Sequence, residues 1–174
     1  MERGELAGRV KAVALLEGDF TLRSGKKSQF YFDKYLFETQ PDILEAMGKE
    51  IAGRIPAGTA RIAGPELGAV ALAAAASLAS RLPFFIVRNA KKDYGTSKTI
   101  EGKLEPGEKV VLVEDIVTTG GQVIEAIKNI RAAGAQVVKV IVALDRLEGG
   151  RENILREAEG VAYEAILTKE DMGM

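Results

Sequence analysis

The segment Glu114–Gln122 (EDIVTTGGQ) combines side chains that suit an anion and a sugar. Two acids, Glu114 and Asp115, close an apolar run, and two threonines and two glycines follow before a predicted helix. Glycines let backbone N–H groups approach an anion closely, and the N-terminus of a helix favours negative charge. The hydroxyls of Thr118 and Thr119 add further donors. The segment therefore predicts a phosphate site at the start of a helix.

The two acids need a different partner, because a carboxylate repels a phosphate placed beside it. Vicinal ribose hydroxyls offer two donors to two carboxylate acceptors, so a ribose with a 5′-phosphate satisfies the whole segment. Taken singly, the same residues also fit a plainer interpretation, in which the acids cap the helix and the glycines form a turn. Their order after a buried strand favours the ribose phosphate.

The chain contains no cysteine and no histidine. This excludes disulfides, cysteine nucleophiles, Ser-His-Asp arrangements and imidazole or thiolate zinc sites. The remaining chemistry belongs to carboxylates, lysine, arginine, tyrosine, hydroxyls and backbone amides, and a divalent ion would be a hard one held by oxygens. The nucleotide patterns G-x-G-x-x-G and G-x-x-x-x-G-K-[ST] are also absent from the sequence.

The totals describe an ordinary globular chain of 174 residues, 47% apolar and 28% charged. We expect a single domain over residues 1–174. The net charge of −1 gives no overall basic field, so no nucleic-acid partner is expected. The charged start MERGELAGR lacks a signal-peptide core, and the longest apolar run, Ala69–Ala79, is too short for a bilayer. We therefore expect no membrane partner and a cytoplasmic location.

Hydrophobic periodicity predicts strands that alternate with helices along most of the chain. An amphipathic helix over 4–17 and a hairpin over 20–32 come first, and the polar stretch 89–102 has no clear period and is interpreted as a mobile loop. Strands are predicted at 61–64, 82–88, 109–114, 137–144 and 161–167, and further helices from 41 to about 54, from the 64–68 turn to about 81, at 121–133 and at 152–159. This pattern indicates an α/β fold, a mainly parallel sheet flanked by helices with a small N-terminal helix-and-hairpin hood.

Ligands of open α/β sheets bind beyond the carboxyl ends of the strands. Three predicted loops lie there: 64–68, 114–122 and 145–150. LVEDIVTTGGQ, in the second of them, closely resembles the phosphoribosyl pyrophosphate (PRPP) motif of type I phosphoribosyltransferases.

Four further segments are similar, in order along nearly the whole chain, to orotate phosphoribosyltransferases. They are the hairpin of the hood at 19–33, the pyrophosphate loop at 64–69, the mobile catalytic loop at 88–95, and the strand end at 143–146 that carries an orotate-binding arginine.

The resemblance implies a role for each matching residue. Catalytic roles fall to Lys92, Arg88 and Asp115. Orotate binding falls to Thr118, Arg146, Tyr31, Phe32 and Arg23. PRPP binding falls to Arg88, Lys91, Lys92, Tyr94, Glu114, Asp115, Ile116, Val117, Thr118, Thr119, Gly120, Gly121 and Gln122, with the two acids on the ribose hydroxyls and 118–122 around the 5′-phosphate.

Residue type alone leaves plainer roles open for several of these side chains. Arg146 also fits a surface ion pair with Asp145 or Glu148. Lys91 and Lys92 also fit solvated loop charges, and the aromatic pair at 31–32 also fits ordinary core.

The resemblance further implies transfer of the phosphoribosyl group from PRPP to orotate, with Mg²⁺ held mainly by PRPP. It implies a homodimer that shares the 89–102 loop across its interface. Asn89 stands where the family usually has a second lysine and Tyr94 where it has a histidine, so Lys91 would supply charge and Tyr94 a hydrogen bond. Two alternatives remain: a phosphoribosyltransferase for another base, against which Arg146 and the 31–32 hairpin argue, and a non-catalytic regulator that senses PRPP, which Asn89 and Tyr94 motivate.

Overall fold

The computed structural model describes residues 1–21, 25, 27–89 and 99–173. The chain begins with helix α1 (Arg3–Ala14), followed by an antiparallel hairpin of β1 (Leu15–Thr21) and β2 (Lys27–Phe32). The prediction of a helix as far as residue 17 is wrong, because Leu15 and the residue after it already pair with the end of β2. Together, α1 and the hairpin form the hood.

A six-stranded sheet forms the centre of the protein, in the order β5-β4-β3-β6-β7-β8. All neighbours in it are parallel except β5, which pairs antiparallel with β4. The strands are β3 (Arg61–Pro65), β4 (Phe84–Val87), β5 (Ile100–Glu101), β6 (Lys109–Val117), β7 (Gln136–Asp145) and β8 (Ala162–Thr168). The prediction of a mainly parallel α/β sheet is confirmed.

Five further helices and one 3-10 turn complete the described chain. They are α2 (Lys34–Glu38), α3 (Pro41–Ala52), α4 (Gly68–Ser80), α5 (Gly121–Ala132), α6 (Gly150–Glu157) and the 3-10 turn Glu170–Met172. The sequence pattern does not predict α2, whose single turn is too short to show a helical period. Within the described ranges, no helix has the length and apolarity needed to cross a membrane.

Two hydrophobic cores lie on opposite faces of the sheet, and β6 contributes to both. Val111 and Val113 pack in the core that contains α1, α3 and α4. Val110 and Leu112 pack in the core that contains α5 and α6. Successive side chains of a strand point to opposite faces, so a strand buried on both faces is apolar throughout.

The predicted boundaries near the site differ from the structure in two places. The strand predicted over 109–114 continues to Val117, because its parallel pairing with β7 extends to the pair of Val117 and Asp145. The stretch predicted as a loop over 89–102 contains β5, whose Ile100 and Glu101 pair with β4. Residues 90–98 of that loop lie outside the described residues.

Candidate active site

A pocket of about 440 Å³ opens at the carboxyl end of β6. It is lined by Glu114 and by the continuous run from Ile116 to Val123. The first backbone N–H groups of α5 have no intrahelical acceptor and carry the positive end of the helix dipole. The structure therefore places the predicted phosphate-binding residues around one concave site, and we call residues 118–122 the phosphate loop.

The turn into α5 depends on Gly120, which has a φ of 82°. That left-handed conformation favours glycine. Gly120 is the N-cap residue of α5, and the helix has no side-chain cap, so the interpretation of the two acids as helix caps is wrong.

The loop is supported from the side by α6. The Asn153 side-chain amide donates to the Thr119 carbonyl at 3.0 Å. A Cβ on Gly150 would lie 2.5 Å from the Thr118 carbonyl oxygen and 2.3 Å from Val117 Cγ1. Only a residue without a side chain allows this close approach of α6 to the loop.

The Glu114 carboxyl is buried at the floor of the pocket. It lies on the same face of β6 as Leu112, two residues earlier, which is the face covered by α5 and α6. Burial first, and then the neighbouring Asp115 carboxylate, raise the pKa of Glu114 to about 8. A carboxyl in this state can both donate and accept, which suits a ribose hydroxyl.

The Asp115 carboxylate is buried next to Glu114 and forms an ion pair with helix α2. Lys34 Nζ on α2 donates to Asp115 Oδ2 at 2.7 Å. The sequence analysis placed both acids together at the end of the strand, facing one ligand. The two carboxyl groups are close enough for the Asp115 carboxylate to raise the pKa of Glu114, and the structure adds Lys34 as a partner of Asp115. Direct contact of Asp115 with ribose stays a prediction.

Arg146 lies beside the phosphate loop, immediately after β7. Its backbone N–H donates to the Val117 carbonyl at 3.0 Å, next to Thr118. The side chain is partly exposed, and its Nε lies 3.1 Å from Glu148 Oε1. The ion pair with Glu148 that residue type alone suggested is thus present, at the edge of the site.

The loop that carries Arg146 is fixed by the buried Asp145 carboxylate. Tyr163 donates its hydroxyl to Asp145 Oδ2 at 2.7 Å, and the Leu147 N–H donates to Oδ1 at 2.8 Å. Burial first, and then the hydrogen bond to Asp145, raise the pKa of Tyr163 well above its usual value. The tyrosine is therefore a permanent donor that keeps the strand end in place.

Arg88 follows β4 and lies between two carboxylates. Its Nη1 lies 3.9 Å from both Glu66 Oε2 and Glu101 Oε1. Glu66, in the predicted pyrophosphate loop, also accepts from the Asn89 backbone N–H at 2.9 Å. The Asn89 side chain donates back to the Glu66 carbonyl at 3.2 Å. The Asn89 side of this junction borders a second pocket, which shares Gly121 and Gln122 with the phosphate site.

The two aromatic residues proposed to border the base differ in their surroundings. Phe32 packs against the hydrophobic core and lies 6.0 Å from Phe37, measured between ring centroids. Tyr31 is exposed and stacks obliquely on Phe20 at 5.5 Å. The core interpretation is therefore correct for Phe32, while Tyr31 is available to a ligand. The predicted site residues Arg23, Lys91, Lys92 and Tyr94 lie outside the described residues.

Several residues at the site have no signal in the sequence. Lys34 and Glu38 look like an ordinary helical i, i+4 pair, and Glu66 like a loop charge. Gly150 belongs to a glycine pair that the sequence analysis interpreted only as part of a loop. Their contacts with the site join segments far apart in the chain, so only the fold reveals them.

Known proteins match this chain in sequence and in structure. A family model described as a phosphoribosyl transferase domain matches residues 40–160. The orotate phosphoribosyltransferase of Methanocella arvoryzae is 50% identical over 155 residues, which cover 89% of this chain and 87% of that protein. The enzyme of the same name from Methanocaldococcus jannaschii is 46% identical over 157 residues, covering 90% and 89%.

Solved structures give the same result. The orotate phosphoribosyltransferase of Mycobacterium tuberculosis, in complex with Fe(III) dicitrate, superposes with a TM-score of 0.86 at 31% identity over 99% of both chains. The same enzyme in complex with PRPP gives a TM-score of 0.81 at 30% identity, again over 99% of both chains. The chain therefore belongs to the orotate phosphoribosyltransferase branch of the phosphoribosyltransferase family.

Proposed function

We propose that this protein transfers the 5-phosphoribosyl group from PRPP to orotate, giving orotidine 5′-phosphate and pyrophosphate. The observation that carries the proposal is the phosphate-loop pocket with Arg146 fixed beside it. The pocket suits a ribose 5′-phosphate, and an arginine suits an anionic pyrimidine because its planar donors match a carboxylate. The relatives that carry the name orotate phosphoribosyltransferase support the same reaction.

The reaction separates charge along the bond between ribose C1 and the pyrophosphate oxygen as that bond breaks. As pyrophosphate leaves, ribose C1 gains positive character and the leaving group gains negative charge. We assign stabilisation of the leaving group to Arg88 and Lys92, with Lys91 and Tyr94 as further contacts, because cations fixed in advance lower such a barrier. Closure of the 89–102 segment would exclude the water that otherwise hydrolyses PRPP.

We assign the other substrate contacts to residues around the pocket. Glu114 would bind the ribose hydroxyls, and the phosphate loop would bind the 5′-phosphate. Thr118, Arg146 and the exposed Tyr31 would contact orotate, with Arg23 near the reacting ends.

A Mg²⁺ ion fits this site as a companion of the substrate. Among the described residues, no three acidic side chains converge to form a metal site. The phosphate oxygens of PRPP would therefore hold the ion, whose charge would help to neutralise the departing pyrophosphate.

The test is release of pyrophosphate from PRPP and Mg²⁺ with and without orotate. We expect release that requires orotate, and orotidine 5′-phosphate in equal amount. Uracil and adenine, as uncharged bases, are the matched controls. Faster transfer to either base would contradict the assignment of orotate. Binding of PRPP without turnover of any base would indicate a PRPP-sensing regulator instead.

We further propose that residues 1–174 act as one domain in the cytoplasm, and as a homodimer that shares the 89–102 loop between subunits. The resemblance to the family supports the dimer. Light scattering on the purified protein should give about twice the chain mass of 18.6 kDa. A monomer that transfers phosphoribosyl groups at the full rate would contradict a shared loop.

Glu66 should weaken the binding of pyrophosphate, because its carboxylate competes for Arg88. Glu66→Gln keeps an acceptor for the Asn89 N–H but removes this charge. Since exposed ion pairs contribute about 0.2–1 kcal/mol, we expect pyrophosphate to bind roughly 1.5- to 5-fold more tightly. Calorimetric titration at low salt measures the change, with Glu105→Gln, at the exposed surface, as control. Weaker binding to the Glu66→Gln variant would show that the carboxylate helps to hold the site.

A further inference from the structure

A cluster of charged side chains connects helix α2, which follows the hairpin of the hood, to the PRPP motif at the end of β6. It consists of Lys34 and Glu38 on α2 and of Asp115 on β6, and we call it the α2 cluster. Glu38 and Asp115 are each 3% exposed. Lys34 forms the 2.7 Å ion pair with Asp115 described above, and α2 begins directly after Phe32 and Asp33 at the end of the hairpin.

The two carboxyl groups of the α2 cluster lie close together. A Cβ built on Gly68 would be 1.7 Å from Asp115 Oδ2 and 3.0 Å from Glu38 Oε1. Gly68 begins α4 and belongs to the predicted pyrophosphate loop, and its lack of a side chain makes room for both acids. The α2 cluster therefore joins α2, which follows the hairpin, to the PRPP motif, and both of its acids adjoin Gly68.

Glu38 Oε1 is buried and, among the described residues, has no hydrogen-bond partner when the carboxyl is ionised. Two ionised carboxylates are both acceptors, so they cannot bond to one another. One proton between them changes this, because a neutral acid donates an O–H to the neighbouring carboxylate. With that proton, the charges of Asp115 and Lys34 balance, and the buried oxygen is satisfied.

We propose that Glu38 is a positioning residue which, as a neutral acid, donates a hydrogen bond to Asp115 and, with Lys34, fixes this end of the PRPP motif. The proposal deepens the proposed function and rests on it, since the motif is taken to bind PRPP. Glu38 acts through Asp115 and β6 and does not itself touch the substrate. Its effect should therefore appear in PRPP binding.

The surroundings of Glu38 support a neutral state. Burial first, and then the Asp115 carboxylate, raise the pKa of Glu38 to about 8. Burial lowers the pKa of Lys34, but the hydrogen bond and charge of Asp115 outweigh it, so that pKa is raised and the amine stays charged.

In the described part of the chain, few other titratable groups lie near Glu38. Asp33 and Tyr35 lie on the same segment of chain, and Glu114 is the neighbour of Asp115 on β6. The helices packed on α2 are α1, α3 and α4, and the residues that they bury are all without a titratable side chain. Among the residues that the structure describes, Lys34 is thus the cation that balances the α2 cluster.

Two substitutions distinguish the role of the hydrogen bond that Glu38 donates from the role of its side-chain volume. Glu38→Gln keeps a neutral donor of the same length, so PRPP should bind to it as to the unchanged protein at pH 6.5. Glu38→Leu removes the donor, so the Kd for PRPP should rise about tenfold, as expected for a lost hydrogen bond to a charged group. Glu45→Gln, on the exposed surface of α3, is the matched control and should change nothing. Calorimetric titration with PRPP alone gives each Kd without any need for orotate.

The pH dependence gives a second readout, which a purely structural role would not change. Above pH 8 the unchanged protein loses the proton of Glu38, so its Kd for PRPP should rise relative to that of Glu38→Gln. We expect the ratio of the two Kd values to increase from about one at pH 6.5 to about threefold or more at pH 9. The pKa of Glu114 is also raised, and this residue is the same in both proteins, so the ratio compares them at position 38.

The thermal stability of the protein should also fall as the pH rises, for the same reason. The pKa of Glu38 is higher in the folded state than its ordinary 4.5, so its contribution to stability is complete below about pH 4.5 and lost as the pH rises through about 8. The Tm of Glu38→Gln should therefore exceed that of the unchanged protein at pH 9 by more than at pH 6.

Three results would overturn the proposal. In the first, Glu38→Gln weakens PRPP binding at pH 6.5 as much as Glu38→Leu, which would mean an ionised Glu38. In the second, the Kd ratio is constant from pH 6.5 to 9. In the third, both variants bind PRPP normally. If Glu38→Leu fails to fold, the Kd ratio for Glu38→Gln still decides. PRPP binding without transfer to orotate would defeat the proposed function and leave this test intact.

Discussion

Arg146→Ala should raise the KM for orotate by about 10- to 100-fold, because a hydrogen bond to a charged group contributes about 1.5–3 kcal/mol. Binding of PRPP should change little, since the phosphate loop and Glu114 form its pocket without this side chain. Arg146→Lys keeps the charge but loses the planar pair of donors, so it should restore only part of the affinity. Steady-state kinetics with each substrate varied in turn give the two KM values.

The control for this substitution is Arg131→Ala. Arg131 is an exposed arginine in the last turn of α5, at the opposite end of that helix from the phosphate loop. It should leave both KM values unchanged. Equal increases of the KM values for PRPP and orotate in Arg146→Ala would mean that the loop had moved. An unchanged KM for orotate would mean that Arg146 forms only its ion pair with Glu148 and does not bind orotate.

Gly150→Ala should reduce the affinity for PRPP at least tenfold. The new Cβ would meet Val117 Cγ1 at 2.3 Å and the Thr118 carbonyl oxygen at 2.5 Å, so either α6 or the phosphate loop must move. Such overpacking costs about 1–3 kcal/mol in stability, and a displacement of about 1 Å at a site can cost about 100-fold in rate. Titration with PRPP and chemical unfolding measure the two effects.

Gly8→Ala is the matched control for Gly150→Ala. Gly8 lies inside α1 with open space where a Cβ would stand. Alanine there should stabilise the protein by about 0.5–1 kcal/mol, because it restricts the unfolded chain and favours the helix. If Gly150→Ala binds PRPP as tightly as Gly8→Ala does, the phosphate loop tolerates displacement and the close approach of α6 has no role in binding.

The sheet could be predicted because its signal is local. Apolar strands alternate with helical periods over ten residues or more, and each stretch can be interpreted alone. The two-residue strand β5 and the one-turn helix α2 are too short to carry a period. They exist because neighbours stabilise them: β4 pairs with Ile100 and Glu101, and Lys34 of α2 forms an ion pair with Asp115.

The site was predictable where its residues are contiguous and not where they converge from a distance. The phosphate loop is one run of sequence, and its glycines and hydroxyls indicate their own chemistry. Lys34 is 81 residues from Asp115, and no pattern in the chain links the two. The ion pair of Asp115 with Lys34, beside a Glu114 that lines the pocket, becomes visible only in the fold.

The two-sided packing of β6 restricts how this gene can change. Inserting or deleting one residue between Lys109 and Glu114 would exchange the faces of the side chains that follow in the strand. Glu114 would then leave the pocket and Asp115 would lose Lys34, so the ribose pocket and this ion pair would fail together. We therefore expect this part of the strand to diverge by substitution and to keep its length in a lineage that keeps the enzyme.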